Sequence, residues 1–261
     1  MAASDLEALK LHRRTVVLDG RACTVLTPRA SQAERFATNF FHGTWHVLTD
    51  PAGARLLSRL LWAMSYQRKP RTVLLLDGPM LAPSPFDADP SVPLLIVNSD
   101  LGGPSRAGLD TLEAMLPLRT PSEGTVKVRT DGHDRAMADE REHRYAQWDR
   151  RWVEPPHQRR GWIDRVHHVL VLAAASPELR YWTYEIFSVA DGVDEHPESS
   201  GLDARIPNNI GEVQIFCDFT ERIERAQAAR RARFPGRDHA ELLDDERRQI
   251  WNALSARPTS G

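Results

Sequence analysis

The sequence predicts a mixed α/β fold: a partly parallel sheet flanked by helices, with a pair of helices at the C-terminus. Three observations lead to this prediction. Short β-branched or leucine-rich runs have the length of buried strands, and segments with apolar residues at helical spacing lie between them. Strands follow one another later in the chain, and the last segment contains two helical patterns. With 261 residues the chain can bury a substantial core.

The first predicted element is a β-hairpin. Residues 15–18 and 22–27 are β-branched runs, and the Asp19-Gly20 dipeptide between them is a strong signal for a two-residue turn. The segment 31–34, Ser-Gln-Ala-Glu, then has the form of a capping box, which begins a helix. The apolar face of that helix is formed by Ala33, Phe36, Ala37, Phe40 and Phe41.

A longer helix and two buried strands come next. Asp50 can cap the helix, Pro51 suits its first turn, and Pro70 ends it. Its apolar residues recur at helical spacing: Leu56, Leu57, Leu60, Leu61 and Met64. Residues 72–76 and 94–97 are continuous apolar runs, which favour strands that are covered on both faces.

The middle of the chain alternates between helix and strand patterns. A helix is predicted over 105–116, a strand over 125–129, a charged helix over 134–152 and a strand over 166–173. Residues 180–189 are rich in aromatic and β-branched side chains, which favours a strand returning antiparallel to the previous one. A helix beginning at Pro177 is the alternative.

The C-terminal part is predicted as a long polar loop over 191–211, a strand over 212–217 and two helices separated by Pro235-Gly236. We therefore expect a core domain over residues 1–217. The helical pair, residues 218–261, packs on this core or extends from it.

Composition excludes several classes of protein. The chain is 41% hydrophobic and 27% charged with a formal net charge of −2, which is typical of a globular protein. This charge creates no overall attraction to nucleic acid or to an anionic membrane. The sequence has neither a run of about 18 apolar residues nor a signal peptide, so we expect a soluble cytoplasmic protein. Cys23 and Cys217 lie in apolar surroundings, which favours reduced thiols.

Arginine strongly outnumbers lysine. Of the 34 basic residues only Lys10, Lys69 and Lys127 are lysines. GC-rich coding is the ordinary explanation of this bias, and contact with anions or nucleic acid is the functional alternative.

Two acidic residues follow the predicted buried strands of the middle segment. Asp77 comes directly after residues 72–76, and Asp100 follows residues 94–97. If the strands are parallel, both carboxylates lie at one edge of the sheet and can hold Mg²⁺ or Mn²⁺. The alternative is that Asp77-Gly78-Pro79 is ordinary turn chemistry. The connection between the strands is short and has no clear helix, and antiparallel strands would separate the two residues.

Two further patterns could bind an anion. Gly102 and Gly103 precede a predicted helix, and the backbone amides at a helix N-terminus can hold a phosphate. The segment 144–165 combines basic residues (Arg150, Arg151, Arg159 and Arg160) with Trp148, Trp152 and Trp162. Arginines with stacking aromatic rings bind single-stranded nucleic acid. The alternative interpretation of segment 144–165 is a helix whose tryptophans face the core and whose arginines are solvated.

His42 and His46 form an alternative metal site. On a helix, histidines four positions apart share one face, as a zinc-binding pair requires. Gly43 weakens a helix there, and structural histidines are the competing interpretation.

The function predicted from these patterns is a metal-dependent hydrolase of phosphoester or nuclease type. In this hypothesis Asp77 and Asp100 are catalytic and bind the metal, and the glycine turn and the arginines bind the anionic substrate. The alternative is a non-catalytic adaptor of bacterial type that holds a protein partner with surface tryptophans and the C-terminal helices. The sequence contains no complete catalytic signature, so it does not decide between them.

Overall fold

The computed structural model describes residues 8–29, 32–41, 43–139, 161–192, 198–202, 211–237 and 241–255. Within these ranges the chain forms two mixed sheets and six helical segments, which confirms the predicted mixed α/β fold. The strands are β1 (Ala8–Leu18), β2 (Arg21–Pro28), β3 (Ala37–Phe41), β4 (Thr44–Thr49), β5 (Thr72–Leu76), β6 (Leu94–Asn98), β7 (Gly124–Arg129), β8 (Gly161–Val166), β9 (Val169–Ala174), β10 (Glu198–Leu202) and β11 (Gly211–Ile215). The helices are α1 (Pro51–Ser65), α2 (Arg106–Ala114), α3 (133–139), α4 (Ser176–Gly192), α5 (Phe219–Arg233) and α6 (Asp244–Ser255).

The larger sheet has seven strands in the order β7-β1-β2-β5-β6-β9-β8. The pairs β2–β5 and β6–β9 are parallel, and the other neighbours, including β5 and β6, are antiparallel. Both faces of the central strands are buried, which explains why the runs of β5 and β6 are continuously apolar. One face packs on α1 and α4, and the other packs on α2.

The predicted N-terminal hairpin is confirmed. Leu18 of β1 pairs with Arg21 of β2, so the connection consists of Asp19 and Gly20 alone. Both residues have positive φ angles, 53° and 67°. A two-residue turn with positive φ at both positions matches the twist of the strands, and Asp-Gly is one of the few dipeptides that adopt it at low cost.

The smaller sheet corrects a helix prediction. Its order is β10-β11-β4-β3, and Ala37–Phe41, predicted as the apolar face of a helix, is the edge strand β3. β3 pairs antiparallel with β4, and Gly43 in the connecting turn has a φ of 78° that favours glycine. The apolar residues of this segment recur at helical spacing, but pairing with β4 makes it a strand. Ser31 of the predicted capping box lies outside the described residues.

Helix α1 forms as the sequence predicts. The Asp50 carboxylate accepts the Gly53 N–H at 2.7 Å, and Pro51 occupies the first turn. Its stripe of leucines and Met64 is buried against the larger sheet and α4. Each such side chain contributes about 1.5–3 kcal/mol by leaving water.

Residues 180–189 form part of a helix, not of the predicted strand. α4 spans Ser176–Gly192, which confirms the alternative of a helix beginning near Pro177. Its buried residues recur at three- and four-residue spacing: Leu179, Trp182, Thr183, Ile186 and Ala190. Packing of this stripe on α1 outweighs the strand preference of its aromatic and β-branched residues. The predicted strand over 166–173 is divided by a turn at His167 and His168 into β8 and β9.

The two C-terminal helices pack on the loop that precedes β6. Asp89 of this loop forms ion pairs with Arg230 of α5, at 3.0 Å, and with Arg247 of α6. The ring of Trp251 stacks on Phe86, with centroids 4.7 Å apart and an interplanar angle of 12°. Both helices are therefore held by the same short stretch of chain.

Neither cysteine forms a disulfide; Cys23 is buried and Cys217 is exposed. Among the described helices, none combines the length and the apolar character that crossing a bilayer requires.

Candidate functional site

Asp77 and Asp100 lie at opposite edges of the larger sheet, although each follows the C-terminal end of its own strand. β5 and β6 are antiparallel neighbours, with Leu76 paired to Leu94 and Val73 to Val97, so the residues that follow each strand point away from each other. The expectation that the two carboxylates share one Mg²⁺ or Mn²⁺ is therefore wrong in its geometry. Hydrolase activity stays a prediction, without the paired carboxylates on which it was based.

Each of these carboxylates instead holds a turn or a helix end. Asp77 accepts the N–H of Gly78 at 2.7 Å and that of Leu118 at 3.2 Å. Asp100 accepts the N–H of Ser176, the first residue of α4, at 2.8 Å. A carboxylate at this position satisfies an unpaired helical N–H and complements the helix dipole.

The glycine turn before α2 has its own carboxylate. Gly102 has a φ of 72°, and a Cβ on Gly103 would lie 2.7 Å from Val97 Cγ1, so both glycines are needed for the path of the backbone. The N-terminus of α2 receives Asp19 from the β1–β2 turn, which accepts the Ser105 N–H at 2.9 Å and also the Ser105 hydroxyl. An external anion would have to displace this carboxylate.

The electrostatics of Asp19 agree with this role. Hydrogen bonds from the hydroxyl and the N–H of Ser105 hold the pKa of Asp19 below its usual value, and Arg71 lowers it further. The Arg71 guanidinium lies 3.7 Å from the carboxylate. Asp19 therefore serves as an internal anion at the start of α2.

His46, the member of the histidine pair that the structure describes, does not lie on a helix. His46 is in β4, 6% exposed, with Nδ1 3.3 Å from the Glu212 carboxylate of the adjacent strand β11. His42 lies outside the described residues. Since strands flank this position on both sides, the helical spacing on which the zinc hypothesis depended is absent.

Of the predicted arginine and tryptophan segment, Trp162 lies in β8 and is partly buried. Arg150, Arg151, Arg159 and Arg160, together with Trp148 and Trp152, lie outside the described residues. The five described tryptophans are buried or partly buried, so the structure shows no exposed tryptophan in these ranges. The adaptor hypothesis stays a prediction.

One group of potential metal ligands occurs at the surface. Asp110 and Glu113 of α2 and His167 of the β8–β9 turn place ligand atoms within 4.8 Å of one another. Ordinary ion pairs account for the cluster, because His167 contacts Asp110, and neighbouring His168 lies 3.8 Å from Glu113. These side chains are exposed or partly exposed, as paired surface groups commonly are.

Three side chains reproduce the hydrogen-bond order of a serine hydrolase. The Ser58 hydroxyl lies 2.9 Å from His133 Nε2, and His133 Nδ1 lies 2.8 Å from the Asp134 carboxylate. The Ser58 hydroxyl has one hydrogen, which it can donate either to His133 Nε2 or to the Thr183 carbonyl oxygen. Burial lowers the pKa of His133, and Asp134 partly opposes this shift.

The surroundings of Ser58 explain why this chain of hydrogen bonds is structural. Ser58 has no exposed surface and lies in the middle of α1, where the neighbouring N–H groups are used by the helix. His133 is enclosed by the rings of Trp62 and Phe187. A substrate carbonyl could reach neither the hydroxyl nor an oxyanion-binding N–H pair. The Ser58 hydroxyl also lies 3.1 Å from the Thr183 carbonyl oxygen and so links α1 to α4.

A cationic groove lies beside this network, between the C-terminal end of α1 and strands β7, β1, β2 and β5. Its volume is ≈670 Å³, within the usual range of ligand pockets. Arg13, Arg68, Lys69, Lys127 and Arg129 line it. The single acidic residue of the lining is Asp131, whose carboxylate pairs with Arg129.

Several of these cations have no carboxylate partner. Arg13 pairs with Glu123 at 3.3 Å, which leaves Arg68, Lys69 and Lys127 without an acidic partner in the part of the chain that the structure describes. Like charges that converge without counter-charges repel each other, and a bound anion relieves this repulsion. The wall beside them contains Trp62 and Tyr66, the latter 54% exposed.

The floor of the groove contains two threonines. Leu26 of β2 and Leu74 of β5 face α1, and alternation along each strand places Thr24 and Thr72 on the same face two residues earlier. Thr24 and Thr72 are register partners and line the groove. The floor thus changes from leucine to hydroxyl side chains where α1 ends.

The sequence analysis did not find this site, because its residues come from five separate elements. One signal was available: two of the three lysines in an arginine-rich chain, Lys69 and Lys127, meet at the groove. Comparisons with protein-family models, with curated proteins and with solved structures gave no match to this chain.

Proposed function

We propose that this protein binds an anionic small molecule in the cationic groove. The observation that carries the proposal is that five arginine and lysine residues but only one acidic residue line a cavity of ≈670 Å³. The formal net charge of the whole chain is −2, so this excess of positive charge is local and not a property of the entire surface. Such a field concentrates anions at the groove.

The cations at the mouth are positioned by local hydrogen bonds. Gln67 Oε1 accepts the N–H groups of Arg68 at 2.9 Å and of Lys69 at 3.0 Å, which fixes the loop after α1. A fixed loop loses less conformational freedom when a ligand binds. Arg68 can bind a carboxylate or phosphate with two parallel hydrogen bonds, and Lys69 adds a point charge.

The aromatic wall favours an anion that also has an apolar part. The rings of Trp62 and Tyr66 lie 5.0 Å apart, and Trp62 Nε1 donates to the Asp131 carbonyl at 3.3 Å, which fixes the indole. The Arg180 guanidinium lies 5.2 Å from the centre of the Tyr66 ring. Trp62 is only 6% exposed, so the exposed ring of Tyr66, held between Trp62 and Arg180, is the surface along which a ligand ring can lie.

The proposal is tested by thermal unfolding and calorimetry with inorganic phosphate, benzoate and phenyl phosphate. A ligand that binds only the folded protein stabilises it by about 2.7 kcal/mol at a hundredfold excess over Kd. We expect phenyl phosphate to bind more tightly than phosphate, since it adds ring contact to charge. The double variant R68A/K69A should weaken binding at least tenfold.

The matched control is Arg231→Ala, which removes an exposed arginine of α5 that does not line the groove. It should leave binding unchanged. If no probe stabilises the wild type, or if Arg231→Ala weakens binding as much as R68A/K69A does, the groove is not the site of anion binding.

A further inference from the structure

One hydroxyl group enclosed in the groove floor has no hydrogen-bond partner. Thr72 is 2% exposed, and its Oγ1 accepts and donates no hydrogen bond within the described part of the chain. Burying a hydroxyl without a partner costs stability. Valine has the same shape and carries no polar atom, so packing alone gives no reason for threonine at this position.

The position of this hydroxyl connects it to the groove. Thr72 lines the cavity beside Thr24, under the aromatic wall formed by Trp62 and Tyr66. Arg68 and Lys69, on the loop after α1, line the same cavity. The groove thus combines cationic residues, the exposed ring of Tyr66 and one hydroxyl without a partner among the described residues.

We propose that Thr72 determines the specificity of the groove. Its ligand is an aromatic anion whose ring carries a hydrogen-bonding substituent that pairs with the Thr72 hydroxyl. The anionic group then lies against Arg68 and Lys69, and the ring lies along Tyr66. This inference rests on the proposed function and adds to it a class of ligand.

The probes are phenyl phosphate and the three positional isomers of hydroxyphenyl phosphate, and their affinities are measured by calorimetry. One neutral hydrogen bond in a site that excludes water contributes about tenfold in affinity. We therefore expect at least one hydroxyphenyl phosphate to bind the wild type about tenfold more tightly than phenyl phosphate does. Thr72→Val should abolish this preference, and Thr72→Ser, which keeps the hydroxyl, should retain most of it.

Stability without ligand provides a second measurement. Because Thr72→Val removes an unpaired buried hydroxyl and keeps its shape, we expect Tm to rise by about 2 °C. A purely structural threonine would instead lose stability on this substitution. The matched control is Thr111→Val on α2, where the hydroxyl bonds the Ala107 carbonyl at 3.0 Å outside the groove; it should leave the preference unchanged.

The outcomes separate the two proposals. If phenyl phosphate binds and R68A/K69A weakens its binding, but Thr72→Val leaves the hydroxyphenyl preference intact, the role of Thr72 is overturned and the anion site stands. Loss of the preference in Thr24→Val but not in Thr72→Val overturns it equally. If no phosphate binds the wild type, both proposals fail together.

Discussion

The Asp19 carboxylate accepts both the main-chain N–H and the hydroxyl of Ser105, which ties the turn of the first hairpin to the start of α2. Gly108, one turn into the helix, makes this arrangement possible: a Cβ there would lie 2.7 Å from both carboxylate oxygens. The β1–β2 turn and α2 are therefore fitted to each other through one residue that lacks a side chain.

This fit predicts a reversal in the effect of one substitution. Alanine in place of glycine inside a helix normally stabilises it by about 1 kcal/mol. Gly108→Ala should instead destabilise the wild type, since the new methyl group displaces the Asp19 carboxylate. In an Asp19→Ala background the same substitution should stabilise the protein. Urea unfolding of the four proteins measures both effects, and equal effects in the two backgrounds would show that the contact is unimportant.

The buried His133 predicts a specific pH dependence of stability. Burial lowers its pKa in the folded protein below the ordinary value of 6.5, so the unfolded chain binds a proton more readily. The corresponding stability is complete above pH 6.5 and is lost as the pH falls through the lowered folded-state pKa. Chemical unfolding of the wild type and His133→Gln between pH 7.5 and 5 should show a steeper decline in the wild type. Parallel curves would contradict this account.

The ion pairs of Asp89 predict how the C-terminal helices are held. Arg230 is 8% exposed at its side chain, so Asp89→Asn leaves a nearly buried guanidinium without its carboxylate. We expect a loss of about 2 kcal/mol and faster proteolysis between α5 and α6. Asp245→Asn is the control, since the Asp245–Arg248 pair is largely exposed and contributes at most about 0.5 kcal/mol. Equal losses of stability in both variants would show that the ion pairs of Asp89 do not hold the C-terminal helices.

The sequence predicted the elements whose signals are local. The Asp19-Gly20 turn, the Asp50 cap and the leucine stripe of α1 each depend on neighbouring residues, and all three formed as expected. The wrong secondary-structure predictions concern residues 37–41 and 180–189. Residues 37–41 have apolar side chains at helical spacing but form a strand, and in residues 180–189 the residue types favoured a strand although the segment belongs to a helix.

The predicted convergence of Asp77 and Asp100 was wrong for a different reason. Whether Asp77 and Asp100 converge depends on the relative direction of β5 and β6, which neither strand encodes. The start of α2, where an anion was expected, receives the protein's own Asp19. Sequence spacing carries no information about which distant carboxylate fills a helix terminus.

The smaller sheet can be completed only late in synthesis of the chain. β4 is made early, but its parallel neighbour β11 begins at Gly211, which pairs with Trp45 well over half the chain later. Until that strand leaves the ribosome, one side of β4 has no backbone partner, and the apolar β3–β4 hairpin presents an unpaired edge. The nascent protein therefore passes through a long interval in which it is open to wrong pairing. We expect its yield in cells to depend on chaperones and on growth temperature more than the stability of the finished fold would suggest.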